Sequence, residues 1–498
     1  MAGTLQPGAS LPSEHDLARQ FGVGRHTVRR GLAQLAAAGL VETQAGRGTF
    51  VTAPADPSTR TQTLQVAVYY PSAQTAKLGH IIHAFEEAHP LLRVQPLRLH
   101  PLGYAETVLE FIESGQGPDL ILFMNGMLPA LRPAEHFLDL GHFLANHPQL
   151  AGDIYPLLRR QFQWHGRQYG LPFVFSPVVM AYDREAFAEA SVPEPDISWT
   201  RADLLDAAVR LTRRVREAPT SGRAAASRVE RYGVHIHLAS VRWPAIVYAG
   251  GGALATPDGT RGQLSTPASI SAIQFMIDLA HRHGVSGPFS ADLDSASLFV
   301  LRRAAMIATS FYNADHHQFS SSGIDWDVTL LPAAPASLAI PATPGCVPGE
   351  GRRHLFQSTG VAVNAHTPRL RAALAFLDFV ISPRIQHLIR TTGCSLPARA
   401  SIAQVPQHLN PRLHPRHQDI YLEAMQEDGE VPPFYSTAAA EMAHHELLLA
   451  FAGIEDVATA CRRADAKLTA GVAPPSNAVR EGKEDGWEYT RKQLLTDR

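Results

Sequence analysis

Residues 11–51 read LPSEHDLARQFGVGRHTVRRGLAQLAAAGLVETQAGRGTFV, and this stretch decides how the N-terminal part of the chain folds. Ser13 followed three residues later by Asp16 resembles a capping box, which predicts a helix beginning after Ser13. Gly22 suits a turn that needs unusual backbone angles. A second helix is predicted to begin near Arg25. The stretch therefore predicts two short helices separated by a tight turn.

The second predicted helix has two chemically different faces. Val28, Leu32 and Leu35 recur at intervals of four and three residues, which is the spacing of a buried helical face. Arg25 and Arg29 are four residues apart and therefore share a different face, which we expect to be exposed. An exposed pair of arginines is typical of an ordinary solvated helix, so the pair alone does not indicate a function.

A hairpin is predicted to follow the second helix. Residues 40–42 and 49–51 alternate like short strands on either side of Ala45-Gly46-Arg47-Gly48, which suits a hairpin tip. Two helices, a tight turn and a hairpin in about forty residues follow the order of a helix-turn-helix with a wing. This order gives the arginines a second interpretation, as groups that contact nucleic acid.

The segment resembles the DNA-binding domain of the GntR family of bacterial regulators. The matching blocks are LPSE at 11–14, LA at 17–18, GV at 22–23, R-x-TVR at 25–29, GLV at 39–41 and GRGTFV at 46–51. The resemblance implies a double-stranded DNA operator as partner, with the second helix at the major groove and the wing at the minor groove. The DNA-contacting residues it implies are Arg25, Thr27, Arg29, Arg30, Gly46 and Arg47. Arginine suits both places, since its fork pairs with guanine edges or with phosphates.

The chain departs from the family pattern in three places. His15 stands where the family usually has an arginine, so one expected DNA contact is changed. Gly24 and Arg30 replace the commoner serine and glutamate, and Arg30 adds a positive charge. The family has a first helix before the LPSE block, whereas only a short tail at 2–8 stands there in this chain.

Length and charge favour several domains rather than one basic protein. The chain has 498 residues and a formal net charge of −2, so two or three domains are expected and no global attraction to nucleic acid. Residues 1–53 hold five arginines against three acidic side chains, a local charge of +2. We predict a DNA-binding domain at 1–53 lacking its first helix, a linker at 54–63, an effector domain at 64–472 and a polar tail at 473–498.

The remaining composition indicates a cytoplasmic protein. Three cysteines lie far apart without a CxxC pair, which disfavours a disulfide framework or structural zinc. The N-terminus lacks a basic start followed by an apolar run, and no apolar stretch of about eighteen residues occurs. The sequence therefore predicts neither export nor a membrane partner.

Strand-like and helix-like segments alternate after the linker. Strands are predicted at 64–70, 93–99 and 119–124, with helices at 81–88 and 105–114 between them. This alternation argues for parallel βαβ units and an α/β class. Further segments are predicted in the order strand 178–182, helix 201–215, strand 234–236, helix 267–283, strands near 305–309 and 328–331, and helices 368–381, 383–392, 438–449 and 454–469.

These segments resemble an ABC-transporter-type solute-binding protein of the large extracellular family 1, which includes many sugar binders. The blocks that carry the resemblance over about 64–472 are FEEAHPLLRV at 85–94, GQGPDLIL at 115–122, HGRQYGLPFVFSPVVMAYDREAFAEA at 165–190, WTRADLLDAAVRLT at 199–212, AGGGAL at 249–254, RRAAMIATSFYN at 302–313, TGVAVN at 359–364 and LDFVISPRIQHLI at 377–389. The fold class implied is an α+β winged helix-turn-helix domain followed by a two-lobed α/β periplasmic-binding-protein-like (type II) domain.

The resemblance implies a ligand cleft between the two lobes. Polyols need hydrogen-bonding groups at loop ends and aromatic faces that stack on sugar rings. The ligand-binding residues implied are Tyr70, Ser72, Asn125, Phe175, Ser176, Trp243, Gly251, Tyr312, Asn313 and Thr359. Each has a structural alternative: Trp243 and Phe175 suit a core, Asn125 suits a cap or turn, and the glycines around Gly251 suit a loop without phosphate-binding spacing.

Catalytic and metal-binding patterns are weak. The sequence holds no G-x-S-x-G, Walker lysine or H-E-x-x-H motif, so we predict no enzyme activity and no cofactor. The pairs His316/His317 and His444/His445 are adjacent residues that do not share a helix face. His235 and His237 could share one strand face, but they lack a nearby acidic or cysteine cluster, so no metal site is predicted.

Two functions remain open from the sequence. One is a cytoplasmic transcription factor whose solute-binding domain senses a small molecule, and whose lobe closure changes operator binding. Such a protein is expected to be a homodimer that reads paired half-sites, with a mono- or oligosaccharide as effector. The alternative is a solute receptor that serves an ABC transporter, which would require export.

Overall fold

The computed structural model describes residues 9–37, 41–44, 48–51, 61–69, 73–100, 103–216, 227–237, 242–256, 261–287, 295–310, 319, 322–334, 353–392, 396–404, 415–417, 419–426 and 437–471. The chain divides into two compact units. The first comprises residues 1–63 and 86–94, and the second comprises residues 64–85 and 95–498.

The first unit contains the two predicted helices and the hairpin. Its elements are α1 (Glu14–Phe21), α2 (Arg25–Ala37), β1 (Val41–Gln44) and β2 (Gly48–Val51). The side chain of Ser13 accepts a hydrogen bond from the Asp16 N–H, so the predicted cap is present. Gly22 ends α1 in the left-handed conformation with a φ of 65°, which a residue with a side chain rarely adopts.

The prediction of a buried face on α2 is only partly correct. Val28 is buried, as the spacing predicts, but Leu35 is 40% exposed within the described residues. Strands β1 and β2 pair antiparallel from Val41↔Val51 to Gln44↔Gly48. The hairpin is therefore present, although its tip at 45–47 lies outside the described residues.

The second unit begins with alternating strands and helices, of which residues 62–63, 86–88 and 92–94 belong to the first unit by the division above. Its first elements are β3 (Gln62–Tyr69), α3 (Ala73–Ala88), β4 (Leu92–Leu99), α4 (Tyr104–Glu113), β5 (Leu120–Met124), a 3₁₀ turn (Asn125–Met127), α5 (Pro133–His136), α6 (Gly141–Ala145), α7 (Pro148–Asp153), α8 (Pro156–Arg160), β6 (Gln163–Trp164) and β7 (Arg167–Gln168). Strands β3 and β5 pair in parallel, as expected for βαβ connections.

The middle of the second unit contains its longest strand. The elements are β8 (Leu171–Asp183), α9 (Arg184–Glu189), α10 (Arg201–Leu211), β9 (Arg213–Arg216), β10 (Ser227–Arg231), α11 (Arg242–Ala249), α12 (Pro267–His281), α13 (Ser295–Val300), β11 (Met306–Ser310) and β12 (Trp326–Thr329). Every residue of β8 is buried, so the strand is covered along its whole length.

The remainder consists of two strands, each paired with β8, and a helical end. The elements are β13 (Phe356–Val363), α14 (Leu370–Ile381), α15 (Pro383–Thr392), β14 (Leu396–Pro397), α16 (Ala400–Ala403), α17 (Ile420–Gln426), α18 (Thr437–Phe451) and α19 (Val457–Gly471). Among the described helices, none taken singly is both long and apolar enough to cross a bilayer. Helices α14 and α15 meet that test only as a pair bent by 50°.

One eight-stranded sheet runs through the second unit. Its order is β4-β3-β5-β13-β8-β11, and β12 and β14 also pair with β8. The beginning of β8 pairs with β13, whereas its end, from Val178 onward, pairs with β11 and β12. Strand β8 therefore passes from one half of the unit into the other.

Each half has its own hydrophobic core. The first core is formed by side chains of β3, β5 and β13 and of the segments packed against them. It includes Ala67, Tyr104, Ile121, Phe123 and Phe162. The larger second core is built around the end of β8 and includes side chains from α10, α11, α12, α18 and α19. Two cores joined by shared strands are the arrangement predicted for a two-lobed protein.

Two predicted elements are wrong in detail. The helix predicted at 201–215 ends at Leu211, because residues 213–216 instead pair with β10. The strand predicted at 234–236 is reduced to isolated bridges at Val234 and His235. Both errors arise where strand partners decide the local conformation: residues 227–231 for the first, and Ser286 and Ile307 for the second. A local hydrophobic pattern does not contain such pairings.

Candidate functional site

The first unit presents the predicted arginine face of α2. Arg25, Thr27 and Arg29 are exposed, and the backbone N–H groups of Thr27 and Val28 donate to the carbonyl of Gly24. Burial of Val28 holds a neighbouring face of the helix inward. The side chain of Arg30, and residues Gly46 and Arg47 at the hairpin tip, lie outside the described side chains.

Arg29 is held by Glu14 of α1. Its Nε donates to Oε1 at 3.2 Å and its Nη2 donates to Oε2 at 2.9 Å. This two-point pairing fixes the plane of the guanidinium and lowers the pKa of Glu14. Arg29 remains 69% exposed, so the part of the guanidinium not engaged by Glu14 faces outward.

Arg25 is held by the next residue of α1, His15. The imidazole Nδ1 lies 3.1 Å from Arg25 Nη2, and Nε2 lies 3.0 Å from Arg19 Nη2. A guanidinium only donates, and a neutral imidazole has one acceptor nitrogen. In the neutral form, His15 therefore accepts a hydrogen bond from only one of the two arginines at a time. The tautomer of the imidazole decides whether the donor is Arg25 or Arg19.

Sequence reasoning did not assign Glu14 and His15 to the site. The LPSE block and the unusual His15 were the available signals, but they do not reveal which arginine each residue contacts. Those contacts span fifteen and ten residues and depend on how α1 crosses α2. Consecutive residues of α1 thus hold the two arginines that were predicted to contact DNA.

In the second unit, four predicted ligand residues lie together where β8 passes from one half to the other. We call this place, residues 174–178 of β8 with the adjoining residues 356–359 of β13, the crossing. Residues 356–359 of β13 pair with residues 174–177 of β8, which brings Phe175, Ser176 and Thr359 together. Asn125 follows β5 at the same place. The structure therefore collects Asn125, Phe175, Ser176 and Thr359 at one crossing, although these residues span 234 positions of the chain.

The amide of Asn125 braces β13. Its Nδ2 donates to the carbonyl of Phe356 at 3.3 Å, and its Oδ1 accepts from the Ser358 N–H at 3.3 Å. The side chain thereby continues the ladder between β5 and β13 beyond Met124. This supports the structural alternative for Asn125, because both ends of its amide already serve the shared strand.

Phe175, Ser176 and Thr359 are buried at the crossing. The Phe175 ring lies 5.7 Å from the ring of Tyr155 and 6.3 Å from that of Phe356. The Ser176 hydroxyl donates to the carbonyl of Pro177 at 3.2 Å. These three side chains form the floor of the crossing rather than a solvent-facing surface.

Trp243 and Arg242 approach the crossing from α11. Trp243 is fully buried with its ring 6.1 Å from that of Phe451, and its indole N–H has no partner among the described residues. Arg242 donates to Gln357 Oε1 and to Ser310 Oγ, each at 3.3 Å. Arg242 therefore links the end of β11 to β13, and sequence reasoning missed it although it precedes Trp243.

Gly251 lies in a tightly packed turn after α11. It has a φ of 77°, and its N–H donates to the carbonyl of Tyr248 at 2.9 Å. The neighbouring Gly250 has no room for a side chain, because the guanidinium of Arg201 fills that space. Arg201 is 5% exposed, and burial lowers its pKa to about 10. The positive φ of Gly251 and the close packing at Gly250 thus account for these two glycines without a ligand.

The other predicted ligand residues, Tyr70, Ser72, Tyr312 and Asn313, lie outside the described residues. Helix α18 contacts the turn at 125–127, so the second half approaches the crossing next to Asn125. Within the described part of the chain, no group of three or more His, Cys, Asp or Glu side chains is arranged to hold a metal ion.

Two family models match the chain. The model described as bacterial extracellular solute-binding protein matches residues 69–387, and that described as bacterial regulatory proteins, gntR family, matches residues 1–51. The first match covers most of the two-lobed unit, and the second covers the helix-turn-helix segment. They confirm both resemblances and the fold class that the sequence predicts.

Curated relatives match the N-terminal part of the chain. The HTH-type transcriptional repressor NagR of Bacillus subtilis is 52% identical over 52 residues, which are 10% of this chain and 21% of that protein. The arabinose metabolism transcriptional repressor of Geobacillus stearothermophilus is 32% identical over 87 residues, 18% of this chain and 24% of that protein. The chain spans between about a fifth and two fifths of the length of such relatives.

Solved structures of solute-binding proteins match 82% of the chain. An ABC substrate-binding protein from Listeria monocytogenes in complex with cycloalternan covers 82% of this chain and 99% of its own, with a TM-score of 0.67 at 17% identity. The GacH receptor of Streptomyces glaucescens, solved unliganded and with acarbose, has the same coverage, a TM-score of 0.66 and 17% identity. At this identity the similarity shows the fold alone.

Proposed function

Because the chain belongs to the bacterial extracellular solute-binding protein family and carries a gntR-family domain at its N-terminus, we propose that it is a DNA-binding transcriptional regulator that senses a small solute. The observation that carries the proposal is the presence in one chain of an exposed, braced arginine face and a two-lobed fold. A regulator of this kind acts inside the cell on an operator. The proposal contains no catalytic step and no cofactor.

The DNA-reading part of the proposal rests on α2. Arg25, Thr27, Arg29 and Arg30 contact base edges or phosphates in the major groove, and Gly46 and Arg47 contact the minor groove. The braces from α1 support this role, because a guanidinium held in one orientation loses less conformational entropy on binding. A homodimer would present two such faces to paired half-sites and double the local charge of +2.

His15 is expected to act on DNA binding through Arg25. We expect His15→Ala to weaken binding of the full chain to a duplex selected from a random-sequence pool by about three- to tenfold, because Arg25 loses its brace. In a chain that already carries Arg25→Ala, the same change should have little further effect. Titration of the four proteins with the labelled duplex gives this double-mutant cycle.

The control is a second double-mutant cycle, in which His15→Ala is combined with Arg29→Ala. Those residues do not contact each other, so His15→Ala and Arg29→Ala should weaken binding additively. His15→Gln, which keeps an acceptor, should recover part of the loss. Additive effects for His15 and Arg25 would mean that His15 stabilises the helix in general and does not position Arg25.

The solute-binding part of the proposal rests on the β8 crossing. A mono- or oligosaccharide bound between the halves would contact Arg242, the indole N–H of Trp243 and the predicted residues Tyr70, Ser72, Tyr312 and Asn313. The other predicted residues, Asn125, Phe175, Ser176, Gly251 and Thr359, would support this site through packing and hydrogen bonds. Several solved relatives of this fold are bound to saccharides, cycloalternan and acarbose among them. Preferential binding to the closed arrangement would shift the population of the lobes and thereby change operator affinity.

Asn125 is expected to influence solute binding through the shared strand. Asn125→Ala removes two hydrogen bonds from β13 and should cost about 1 to 2 kcal/mol of unfolding free energy. A solute that binds the closed halves should then raise the melting temperature less than it does for the unaltered chain. Asn146→Ala, at an exposed helix end, is the matched control. An unchanged melting temperature and solute response for Asn125→Ala would contradict the bracing role.

The direct experiment is a thermal-shift screen of the full chain against a panel of mono- and oligosaccharides. We expect at least one sugar to raise the melting temperature of the full chain, because a ligand that binds the native state stabilises it by mass action. If no sugar or related polar solute produces a shift, the two-lobed unit does not sense a carbohydrate.

A second function, a solute receptor of an ABC transporter, is favoured by the family match over residues 69–387. The two functions differ in one measurable respect. A transport receptor would bind a sugar without any effect of that sugar on duplex binding, and it would be found outside the cytoplasm.

A further inference from the structure

Arg201 is a buried arginine of the second unit with one unsatisfied edge. It is the first residue of α10, and only 5% of its surface is exposed. Its Nη1 donates to the hydroxyl of Ser271 at 3.3 Å, and its Cζ lies 5.5 Å from the centre of the Phe275 ring. Its Nε and Nη2 are buried and have no hydrogen-bond partner among the described residues. The edge of the guanidinium that carries Nε and Nη2 is therefore unoccupied by protein groups.

Two other arginines of the second unit use the Nε side of the guanidinium to bind a carboxylate. Nε of Arg369 donates to both oxygens of Asp119, and Nε of Arg399 donates to Asp153 at 2.6 Å. Arg201 is buried, whereas these two arginines are only half-buried. Burial alone lowers the pKa of Arg201, and a carboxylate nearby would raise it. No acidic side chain of the described chain therefore balances the charge of Arg201.

The unbalanced charge of Arg201 calls for a counter-ion. A pKa of about 10 keeps the guanidinium protonated at neutral pH, so the group cannot avoid the cost of burial by losing its proton. A buried charge without a partner is strongly unfavourable, and buried charges in proteins are normally paired. The guanidinium occupies the space that a side chain at Gly250 would need. Packing therefore explains Gly250 but not the charge beside it.

The unoccupied edge lies apart from the proposed solute site. The guanidinium of Arg201 is next to Gly250, which follows the last residue of α11, whereas Arg242 at the crossing is the first residue of that helix. Eight residues of helix separate the two positions by about 12 Å. Ser271 and Phe275, which contact the guanidinium from α12, are only half-buried. Arg201 therefore lies close to the surface, at the opposite end of α11 from the crossing.

We propose that Arg201 is the centre of a binding site for a small oxyanion, a carboxylate or a phosphate, between α10, α12 and the turn after α11. Two oxygens of the anion accept hydrogen bonds from Nε and Nη2 in parallel, the arrangement in which guanidinium groups bind carboxylates and phosphates. The anion neutralises the buried charge and thereby stabilises the second unit. This site is independent of the proposed binding of DNA and sugar.

The test is the melting temperature of the full chain and of Arg201→Met in separate titrations with sodium acetate, sodium phosphate and sodium chloride at neutral pH. Methionine is an unbranched side chain without charge, and general salt effects should be equal in the two proteins. We expect acetate or phosphate to raise the melting temperature of the unaltered chain by about 2 °C more than that of Arg201→Met. Chloride should distinguish the two proteins less, because it does not offer two oxygens.

The acetate and phosphate titrations also identify the kind of oxyanion. A response to acetate alone would assign the site to a carboxylate, and a response to phosphate alone would assign it to a phosphate. Arg201→Lys keeps the positive charge without the planar fork, so it should lose most of the response to either anion. The lysine variant also provides the comparison if Arg201→Met does not fold.

Arg399→Met is the matched control, because it removes a guanidinium that is already paired with Asp153. It should lower the melting temperature but keep the full response to the anion. Equal responses of the unaltered chain, Arg201→Met and Arg201→Lys to all three salts would overturn the proposal, and so would a response to chloride alone. Neither result would bear on duplex or sugar binding, which are measured separately.

Discussion

Replacing Arg25 and Arg29 together by alanine is expected to weaken duplex binding by at least about 30-fold. Each well-placed arginine contact with a base contributes roughly 1 to 3 kcal/mol of discrimination, so two lost contacts amount to roughly 2 to 6 kcal/mol. Both side chains are exposed on α2 and braced by α1. The measurement is titration of full-length protein with a duplex selected from a random-sequence pool.

The same variant should keep its response to sugars, because the two arginines belong to the first unit. Arg93→Ala with Arg98→Ala removes the same charge from exposed positions outside α2 and should change duplex binding only slightly. Equal affinity of the Arg25/Arg29 variant and the unaltered chain would mean that α2 is not the recognition helix.

Trp243→Ala is expected to have the largest effect on the second unit. The side chain is fully buried, so its removal should lower the unfolding free energy by about 3 to 5 kcal/mol and leave a cavity beside Phe451. Thermal or denaturant unfolding of the full chain measures this loss. We also expect the sugar-induced rise in melting temperature to disappear.

Trp243→Phe separates packing from ligand contact. Phenylalanine keeps most of the ring but removes the indole N–H, which has no partner among the described residues. If that N–H donates to a bound solute, Trp243→Phe should retain most of the stability and lose solute affinity. Loss of stability in Trp243→Ala with an unchanged solute response in Trp243→Phe would assign this residue to the core alone.

The fold could be predicted well because its signals are local. The Ser13 cap, the glycine turn and the arginine spacing define α1 and α2 within twenty-five residues. Helix α15 begins and ends where its pattern predicts. In contrast, β8 extends over thirteen residues whereas five were predicted, because it is buried throughout and shows no alternation at either end.

The sites could be predicted less well because they depend on distant pairings. Asn125 was selected for its place after a strand, but its partners on β13 lie more than 230 residues away. No motif in the sequence indicates which residues Arg242 and His15 contact. The predicted ligand residues at the crossing are brought together by strand register, and their roles stay predictions until a solute is bound.

The most direct test of a sugar-sensing regulator is the duplex affinity of the full chain with and without the sugar that gives the largest thermal shift. We expect saturating sugar to change the duplex affinity by about 5- to 150-fold, equivalent to roughly 1 to 3 kcal/mol of coupling. The duplex should change the sugar affinity by the same factor. A chain that binds both partners with affinities independent of each other would contradict a regulator controlled by sugar.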